Sequence, residues 1–542
     1  MKITRRSFTL GSLAVLAALG TAKWLAPQFR NKPIPGEIVG AAAQRGHKLR
    51  TGEFPSPTVF IQKEVVIVGG GISGLGAAYQ LAKAGRADFT LLELEAYTGG
   101  NSSSGSNTVS AYPWGAHYVP LVTDESTEVK KLFEDLGVIT GYDAQGLPIY
   151  NEYYICADPH ERLFIYGQWQ DGLVPAIAFA DQDASQYKRF FDLMHRYRHL
   201  IGNDGHKVFA IPVDASSQDP QWLVLDHFTM EAWMDSQGFT SNSLRWYINY
   251  CCRDDFGSTL KETSAWAGIH YFAARSGRAA NTDSQNVITW PEGNGWLAQK
   301  LAQPIHPHIV TQALVFKVKE RQGKITVDYW DAANNQTVRI EARAVVLATP
   351  RFVAMRLLES DRFTLSADNF SYSPWVVANI TLGKLPSGKG APLSWDNVVY
   401  NSKLLGYVVA THQITQMHPV KTVITYYWPL SHLPPAEARK EALERAYPEW
   451  QQIILQELLS VHPELNGHIE RMDLCIWGHA MIRPVQGFIW GEARKQALVQ
   501  QPPIFFSHSD MSGISLFEEA YTHGVKAAKG VLAYLQQEPH VS

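Results

Sequence analysis

The stretch that decides the fold is residues 65–104, which read VVIVGGGISGLGAAYQLAKAGRADFTLLELEAYTGGNSSS. Its β-branched start, Val65–Val68, predicts a short buried strand, and an Ala-rich pattern after the glycines predicts a helix. A second apolar strand, Phe89–Leu92, ends in the acid Glu93. The acid follows the glycines at roughly the 20-residue spacing of an acid that binds ribose hydroxyls. This order of elements indicates a βαβ unit that binds a dinucleotide.

The glycines of this stretch follow the pattern G-x-G-x-x-G, and each has a separate task. Gly69 allows the tight turn, Gly71 lets the backbone approach a pyrophosphate, and Gly74 lets the helix pack against the strand. The helix start at Ile72 and Ser73 offers free N–H groups and the positive end of its dipole to the phosphates. A lone motif of this kind also occurs in ordinary loops, but the flanking strands and the acid favour the nucleotide site.

The bulk composition describes an ordinary globular protein of two or three domains, since 542 residues are long for one domain. Apolar residues make up 45% and charged residues 18%, and the net charge is −3 without any block of basic residues. This pattern argues against binding to nucleic acid. The 16 Trp and 23 Tyr fit either a well-filled core or an aromatic-lined substrate cavity, and composition does not separate the two.

The sequence indicates no metal site. It contains no C-x-x-C pair, and His306 and His308 flank Pro307 with no third ligand nearby. We interpret the adjacent Cys251 and Cys252 as buried small residues rather than as a vicinal disulfide.

The N-terminus has the pattern of an export signal. Arg5 and Arg6 precede an apolar run, roughly Phe8–Leu25, and together they resemble a bacterial twin-arginine signal. The alternative is a general secretory signal or membrane anchor with a chance Arg-Arg pair. We expect residues 1–30 to form this signal or an anchor in the inner membrane, and residues 31–62 to form a polar lead-in. The resemblance implies that the twin-arginine machinery exports the folded protein, with its cofactor bound, to the periplasm.

Five stretches beyond the βαβ unit carry a wider likeness. Gly99-Gly100-Asn101 follows Glu93 after a short gap, and Trp114-Gly115-Ala116-His117 comes soon after it. Pro291–Leu297 is a Gly-rich turn that opens a helix, and Ala344–Pro350 reads as a strand ending in Ala-Thr-Pro. Near the C-terminus, Phe506–Asp510 precedes a closing helix that contains Phe517-Glu518-Glu519-Ala520 and Gly524.

These motifs, which span most of residues 63–535, resemble those of the flavin-dependent amine oxidase superfamily. That superfamily includes monoamine and polyamine oxidases, protoporphyrinogen oxidases and carotenoid desaturases. One departure is Asn101, which stands where the family usually has Arg. The resemblance implies an α/β fold with a Rossmann-type FAD-binding domain and an inserted mixed α+β substrate domain. It assigns residues 63–120, 286–350 and 475–542 to the first domain, and 121–285 and 351–474 to the second.

The resemblance also implies that FAD, rather than NAD, is the cofactor. Gly99-Gly100 and the closing segment belong to the FAD pattern, and a soluble NAD pool is not expected outside the cytoplasm. Asp510 is expected to bind the ribityl or phosphate groups, and the closing helix to direct its dipole at the flavin. No Cys matches a flavin attachment position, so we expect non-covalent binding. The expected FAD contacts are Gly69, Gly71, Ile72, Ser73, Gly74, Glu93, Gly99, Gly100, Asn101, Gly115, Ala116, His117, Val315, Asp510 and Leu516.

The residues that define the chemistry depart from the best-known family members. Many amine oxidases place a Lys near the flavin, whereas Ala378 or Asn379 occupies that position here, and Leu516 replaces an aromatic residue. Trp477 and His479 are the candidate catalytic residues, because imidazole titrates near neutral pH. The alternative is that both pack under the cofactor as structural residues. The polar cluster Trp395-Asp396-Asn397 is interpreted as a turn at a strand end.

Three functions therefore remain open. The first is an exported FAD-dependent oxidoreductase that oxidises a small organic substrate, an amine or polyamine, by hydride transfer to flavin. The second is a desaturase-like or protoporphyrinogen-oxidase-like dehydrogenase of a larger apolar substrate. The third is a non-catalytic flavin-binding protein.

Overall fold

Two eight-stranded sheets form the framework of the chain. The computed structural model describes residues 34–176, 181–321, 323–416 and 418–537. The chain divides into the units Met1–Pro35 and Gly36–Ser542, and everything that follows concerns the second unit. The predicted twin-arginine signal, residues 1–30, lies outside the described residues. Within the part of the chain that is described, no helix combines the length and apolar character needed to cross a membrane.

The first sheet contains the βαβ unit. Its central strand, Val59–Val68, is parallel to Phe89–Leu92 on one side and to Gln336–Leu347 on the other. The β-branched ends of the neighbouring strands are almost fully buried, as expected for parallel strands that are covered on both faces. Ile504–Phe506 pairs in parallel with the end of Gln336–Leu347, so a late segment completes the sheet. The remaining strands are Ile309–Val310, Ala313–Arg321, Lys324–Asp331 and Leu358–Ser360.

Two helices that are far apart in sequence pack against each other beside this sheet. The Gly-rich helix, Ile72–Lys83, lies along the closing helix, Phe517–Gln537. Their approach is close because Gly524 has no side chain, and a Cβ at this position would lie 2.3 Å from the carbonyl oxygen of Ser73. Other helices of the chain's first half are Ala43–Thr51, Thr127–Asp135, Asp181–Arg198, Pro220–Leu223, Met230–Ser236, Asn242–Phe256 and Ala265–Ala273.

The second sheet is mixed and lies within the predicted substrate domain for most of its length. Its longest pairing is the antiparallel pair Tyr372–Leu382 and Ile469–Ile482, which lies towards one edge of the sheet. The other strands are Ile38–Val39, Glu161–Ile165, Gln168–Asp171, Asp396–Val399, Gly406–Val409 and Thr422–Pro429. Further helices are Gly295–Ala302, Arg351–Leu357, Pro435–Glu444, Tyr447–Val461 and Glu492–Ala497. Short strands occur at Ser104–Ser106, Ala111–Pro113, Tyr118–Pro120, Ile139–Tyr142, Pro148–Tyr150 and Val287–Thr289.

Two predictions from the sequence differ from the structure. An amphipathic pattern over Ala436–Ser460 predicts one helix, but the structure has two, because the backbone is extended at Arg445 and Ala446 and Pro448 lies in the first turn of the second helix. The predicted domain boundary between residues 474 and 475 falls inside the strand Ile469–Ile482, which belongs to the second sheet throughout. The division into two domains otherwise stays a prediction.

Candidate active site

The Gly-rich turn and Glu93 form one hydrogen-bonded unit. One carboxylate oxygen of Glu93 accepts from the Gly70 N–H at 2.6 Å, and the other accepts from the Glu95 N–H at 2.8 Å. The side chain is 8% exposed, and burial raises its pKa to about 7 despite these two bonds. Each oxygen keeps a second lone pair, so the carboxyl group can still accept from ribose hydroxyls.

The glycines leave space where the sequence predicts the pyrophosphate. A Cβ on Gly71 would meet no atom within 4 Å, whereas a Cβ on Gly74 would lie 1.9 Å from the Gly69 carbonyl oxygen. Gly69 itself has φ +105°, a conformation that favours glycine. Gly71 therefore borders open space above the start of the Gly-rich helix at Ile72 and Ser73, and Gly74 sets the helix against the strand.

The second glycine pair continues this surface. The Gly99 N–H donates to the Gly70 carbonyl at 2.8 Å, which holds the two glycine turns side by side. Gly99 and Gly100 both have positive φ, 115° and 55°. Asn101 then donates from its side chain to the Ala480 carbonyl, and its own carbonyl accepts from the Ala116 N–H at 2.8 Å. Asn101 thus joins the first sheet's loops to the second sheet.

Asp510 lies at the turn before the closing helix and is 2% exposed. Its Oδ2 accepts from the Arg351 N–H at 2.8 Å and from the Tyr372 hydroxyl at 2.5 Å. Burial acts to raise the pKa of Asp510, but the neighbouring His508 and these hydrogen bonds outweigh it and hold the pKa below its ordinary value. Asp510 is therefore an ionised group already held by the protein.

A cavity with about 830 Å³ of empty space, its open mouth included, lies between Asn101 and the Gly-Ala-His segment, the start of the closing helix and the second sheet. Its floor contains the Gly-Ala-His segment, and its opposite side contains the start of the closing helix. Among the expected FAD contacts, the cavity brings together Asn101, Gly115, Ala116, His117 and Leu516. The glycine turns, Glu93, Val315 and Asp510 lie outside its lining, and Val315 is on the strand that starts beside Glu93.

The walls of the cavity are largely aromatic. Trp375 and Trp477 are cross-strand partners and both line it, with Val377 next on the same face. The His117 ring stacks on Tyr427 with 4.6 Å between centroids, and the Tyr427 hydroxyl donates to the Gly115 carbonyl at 2.9 Å. Burial lowers the pKa of His117 to about 4, so this imidazole is neutral near pH 7.

Glu518 is the second residue of the closing helix and also lines the cavity. It is 3% exposed, and no ion pair to it occurs among the described residues. Burial raises its pKa to about 7 even though its own backbone N–H donates to it. A carboxyl group in this position can exchange a proton with a bound molecule near neutral pH.

The two candidate catalytic residues have different surroundings. Trp477 lies in the cavity wall and donates from Nε1 to the Trp114 carbonyl at 2.7 Å. His479 lies outside the lining and packs against Phe352, with 4.4 Å between ring centroids. Burial, with the nearby Arg439, lowers the pKa of His479 to about 4. This position favours the alternative interpretation of His479 as a packing residue, and its catalytic role stays an untested prediction.

Several residues that line the cavity belong to none of the motifs recognised in the sequence. Asp254 and Arg275 come from the helical part of residues 121–285, and Tyr427 comes from the second sheet. Asp396 begins the strand Asp396–Val399, so the predicted turn at Trp395-Asp396-Asn397 is wrong. Ala378 or Asn379 occupies the position where many amine oxidases have a Lys. Asn379 donates to the Pro113 carbonyl, Val377 faces the cavity, and no Lys lines the cavity within the described chain.

Comparison with known proteins agrees with this fold. Residues 67–136 match the model of an NAD(P)-binding Rossmann-like domain. Mitochondrial dimethylglycine dehydrogenase of Rattus norvegicus is 33% identical over 101 residues, which are 18% of this chain and 12% of the relative. The human enzyme is 34% identical over 83 residues, covering 15% of this chain and 10% of that protein. The match therefore spans about a tenth of these curated relatives.

Solved structures are similar over most of the chain. A putrescine oxidase bound to putrescine has a TM-score of 0.61 with 18% identity, covering 88% of this chain and 100% of that one. Cyclohexylamine oxidase from Brevibacterium oxydans has a TM-score of 0.61 with 15% identity, covering 88% of this chain and 100% of that one. A fatty acid isomerase from P. acnes has a TM-score of 0.57 with 14% identity, covering 86% of this chain and 98% of that one. The α/β fold with a Rossmann-type nucleotide-binding part is thereby shown, and it is one that serves different reactions.

Proposed function

We propose that this protein is an FAD-dependent oxidoreductase that oxidises a small organic substrate, an amine or polyamine. One observation carries the proposal. The cavity is lined together by Asn101, the Gly-Ala-His segment and the start of the closing helix, and its walls offer aromatic rings and the buried carboxyl group of Glu518. The likeness in fold to putrescine and cyclohexylamine oxidases supports the amine as substrate.

The residues present fit FAD. The open space over Gly71 and the free lone pairs of Glu93 suit a pyrophosphate and a ribose, and the ionised Asp510 suits a hydroxyl-bearing ribityl chain. Gly115 has no room for a side chain, because a Cβ would lie 2.4 Å from the Asn101 carbonyl oxygen. When bound, FAD supplies the acceptor for two electrons and a hydride equivalent.

The protein's own residues orient the substrate and handle its proton. Aromatic walls at Trp375, Tyr427 and Trp477 exclude water and hold the substrate's carbon chain. An ammonium group must lose a proton before its carbon can give up a hydride, and Glu518 Oε is the acceptor that the cavity wall provides. The neutral His117 adds no competing positive charge beside this amine.

The test begins with the purified protein. We expect the absorption bands of oxidised flavin, released as free FAD on denaturation because binding is non-covalent. Anaerobic addition of small amines and diamines should bleach the flavin band, and a colourless protein that FAD cannot reconstitute would contradict the proposal. Glu518→Gln should retain the flavin and slow its reduction more than it alters substrate binding.

A second candidate is a dehydrogenase of a larger apolar substrate. The observation that favours it is the apolar wall of Trp375 and Val377, with no Lys in the lining that the structure describes. The fatty acid isomerase of similar fold supports the same idea. Reduction of the flavin by a long apolar substrate, but not by any amine, would select this candidate. Flavin that no substrate reduces would instead favour a non-catalytic flavin-binding role.

We further propose that the protein is exported folded to the periplasm through the twin-arginine machinery, either released or anchored by its N-terminus. Support comes from Arg5 and Arg6 and the apolar run after them. Changing both to Lys should leave the flavin-loaded protein in the cytoplasm of a bacterial host. Continued export of this variant, measured by cell fractionation, would contradict the route.

A further inference from the structure

A segment near the start of the described chain, residues 38–51, joins the two sheets and is called the bridging segment here. Its strand, Ile38–Val39, pairs in parallel with Ile469–Ile482 of the second sheet. Its helix, Ala43–Thr51, then lies against a loop of the first sheet. The sequence predicts only a polar lead-in for these residues, so this bridge is a feature that the structure adds.

The helix of the bridging segment begins on the loop that follows Glu93. The Ala42 N–H donates to both carboxylate oxygens of Glu95, at 2.8 and 3.0 Å. Arg45 donates from its guanidinium to the Leu94 carbonyl at 2.6 Å. The helix therefore starts beside the acid that the proposed function assigns to the ribose of FAD.

Arg439 packs on the second sheet close to residues that contact both Asp510 and Asn101. Its side chain donates to the Tyr372 carbonyl at 3.0 Å, and the Tyr372 hydroxyl in turn donates to Asp510. Its Cδ lies 3.9 Å from the place that a Cβ on Gly478 would take, two positions before the carbonyl that accepts from Asn101. Arg439 is thus linked by short contacts to both ends of the expected path of the phosphates.

His47 and Arg50 of the bridging helix lie close to Arg439. Burial, Arg483 and Arg50 lower the pKa of Arg439, and burial with Arg50 lowers the pKa of His47. Burial together with Arg439, Arg50 and His47 also lowers the pKa of His479 to about 4. The bridging helix and the second sheet therefore bring positive groups together at one place, and Arg50, Arg439 and His47 are called the basic cluster.

The basic cluster has no acid of its own. Neither Arg50 nor Arg439 forms an ion pair within the described residues. Two acids lie nearby, Glu95 and Asp510, and both already accept hydrogen bonds from the protein backbone. Positive groups that repel each other and are partly removed from water are unfavourable, and an anion bound among them would relieve that cost.

The glycine turns supply no positive side chain for a phosphate. Residues 69–74 and 99–104 contain neither Lys nor Arg, and Asn101 is neutral. Backbone N–H groups and a helix dipole offer partial charges, whereas a pyrophosphate is a doubly charged anion. Full charges that can complete its binding are available in the basic cluster, whose Arg439 lies beside the strand that Asn101 contacts.

We propose that Arg50 and Arg439, together with His47, bind the pyrophosphate of FAD, and that the bridging segment thereby covers the cofactor's phosphates. This inference rests on the proposed binding of FAD and deepens it. It assigns the countercharge of the cofactor to two segments outside the βαβ unit. It also makes the bridging segment part of the cofactor site, so that bound FAD holds this segment in place.

The test measures the dissociation constant for FAD by equilibrium dialysis of the full-length protein. We expect Arg50→Gln and Arg439→Gln each to raise it about tenfold, and Arg439→Lys to restore part of the affinity. Lys48→Gln is the matched control, because it removes one positive charge from an exposed side chain of the same last helical turn. It should stay within about twofold of the wild type. Equal dissociation constants in Arg50→Gln, Arg439→Gln and Lys48→Gln would overturn the proposal.

The salt dependence of FAD binding separates a role of charge from a role in packing. Arg50 is exposed, so Arg50→Gln should fold like the wild type. The affinity of the wild type for FAD should fall as salt is added, and this dependence should be weaker in Arg50→Gln. The same salt dependence in the two proteins would contradict a contact between Arg50 and the phosphates.

ADP and adenosine separate this inference from the proposed function. A wild-type protein that binds no FAD would contradict the proposed function. Tighter binding of ADP than of adenosine, by a margin that Arg50→Gln and Arg439→Gln reduce, would still support the basic cluster as a diphosphate site. FAD bound equally well by the wild type and both variants would support the proposed cofactor and overturn the role of the cluster.

Discussion

The Gly-rich end of the site and the acidic lobe, a chamber beside the cavity whose lining includes Glu161, Asp254 and Asp396, are built in opposite ways. Gly69, Gly71, Gly74 and Glu93 come from one short stretch, and backbone contacts fix their positions. The lobe's carboxylates come from two strands and a helix that are far apart in sequence. The first region is specified by backbone shape, which leaves no room for a Cβ at Gly69 or Gly74, and the second by strand pairing and helix packing that bring charged groups together.

The largest effect is expected at the Gly-rich end. Gly74→Ala places a Cβ 1.9 Å from the Gly69 carbonyl oxygen, so the helix must move away from the strand. We expect a loss of about 1–3 kcal/mol in the free energy of unfolding and loss of FAD retention. Gly71→Ala is the matched control, because its Cβ meets nothing within 4 Å. It should leave the FAD-free protein's stability within about 0.5 kcal/mol but weaken FAD binding, and equal stability losses in both variants would contradict this model.

A pH effect of similar size is expected at Glu518, in the wall of the cavity. Its folded-state pKa is raised from 4.5 to about 7, so the folded protein binds the proton more tightly than the unfolded chain. The stabilisation is present below pH about 4.5 and is lost as pH rises through about 7, by at most about 3 kcal/mol. Denaturant unfolding at several pH values should show that the free energy of unfolding falls less with rising pH in Glu518→Gln than in the wild type. The exposed control Glu152→Gln should follow the wild type.

Glu93→Ala tests whether the acid of the βαβ unit holds both the loop and the cofactor. The substitution leaves the N–H groups of Gly70 and Glu95 without their acceptors, which costs about 1–3 kcal/mol where they stay buried. Equilibrium dialysis should show weaker FAD binding. Unchanged flavin content would exclude a ribose contact.

The smallest effect is expected in the cavity wall. Tyr427→Phe keeps the ring stacked on His117 but removes the hydroxyl that donates to the Gly115 carbonyl. We expect a loss of about 1 kcal/mol in the free energy of unfolding, with FAD still bound. Tyr153→Phe, at an exposed position, should change nothing measurable. Loss of flavin from Tyr427→Phe would instead indicate that the Tyr427 hydroxyl contributes to cofactor binding.

The same contrast explains what sequence could predict. The βαβ unit is local, so residue spacing alone predicts Phe89–Leu92 to the residue, whereas the wider fold is implied only by the family resemblance. Asp254, Asp396 and Glu161 are brought together only by strand pairing and a helix insertion, and no spacing rule links them. The single-helix prediction over 436–460 failed because its apolar period continues through the break, although Pro448 in the sequence is typical of the first turn of a new helix.

The closing helix has a consequence for synthesis of the protein. Ser73 and Ser507 are hydrogen-bonded across 434 positions, and Gly524 lies against the Gly-rich helix. A nascent chain on the ribosome has therefore made its glycine loops long before the strand and helix that enclose them. If the chain binds FAD as proposed, capture of the cofactor would follow synthesis of this strand and helix, and bound flavin would report that segments more than 400 positions apart have folded together.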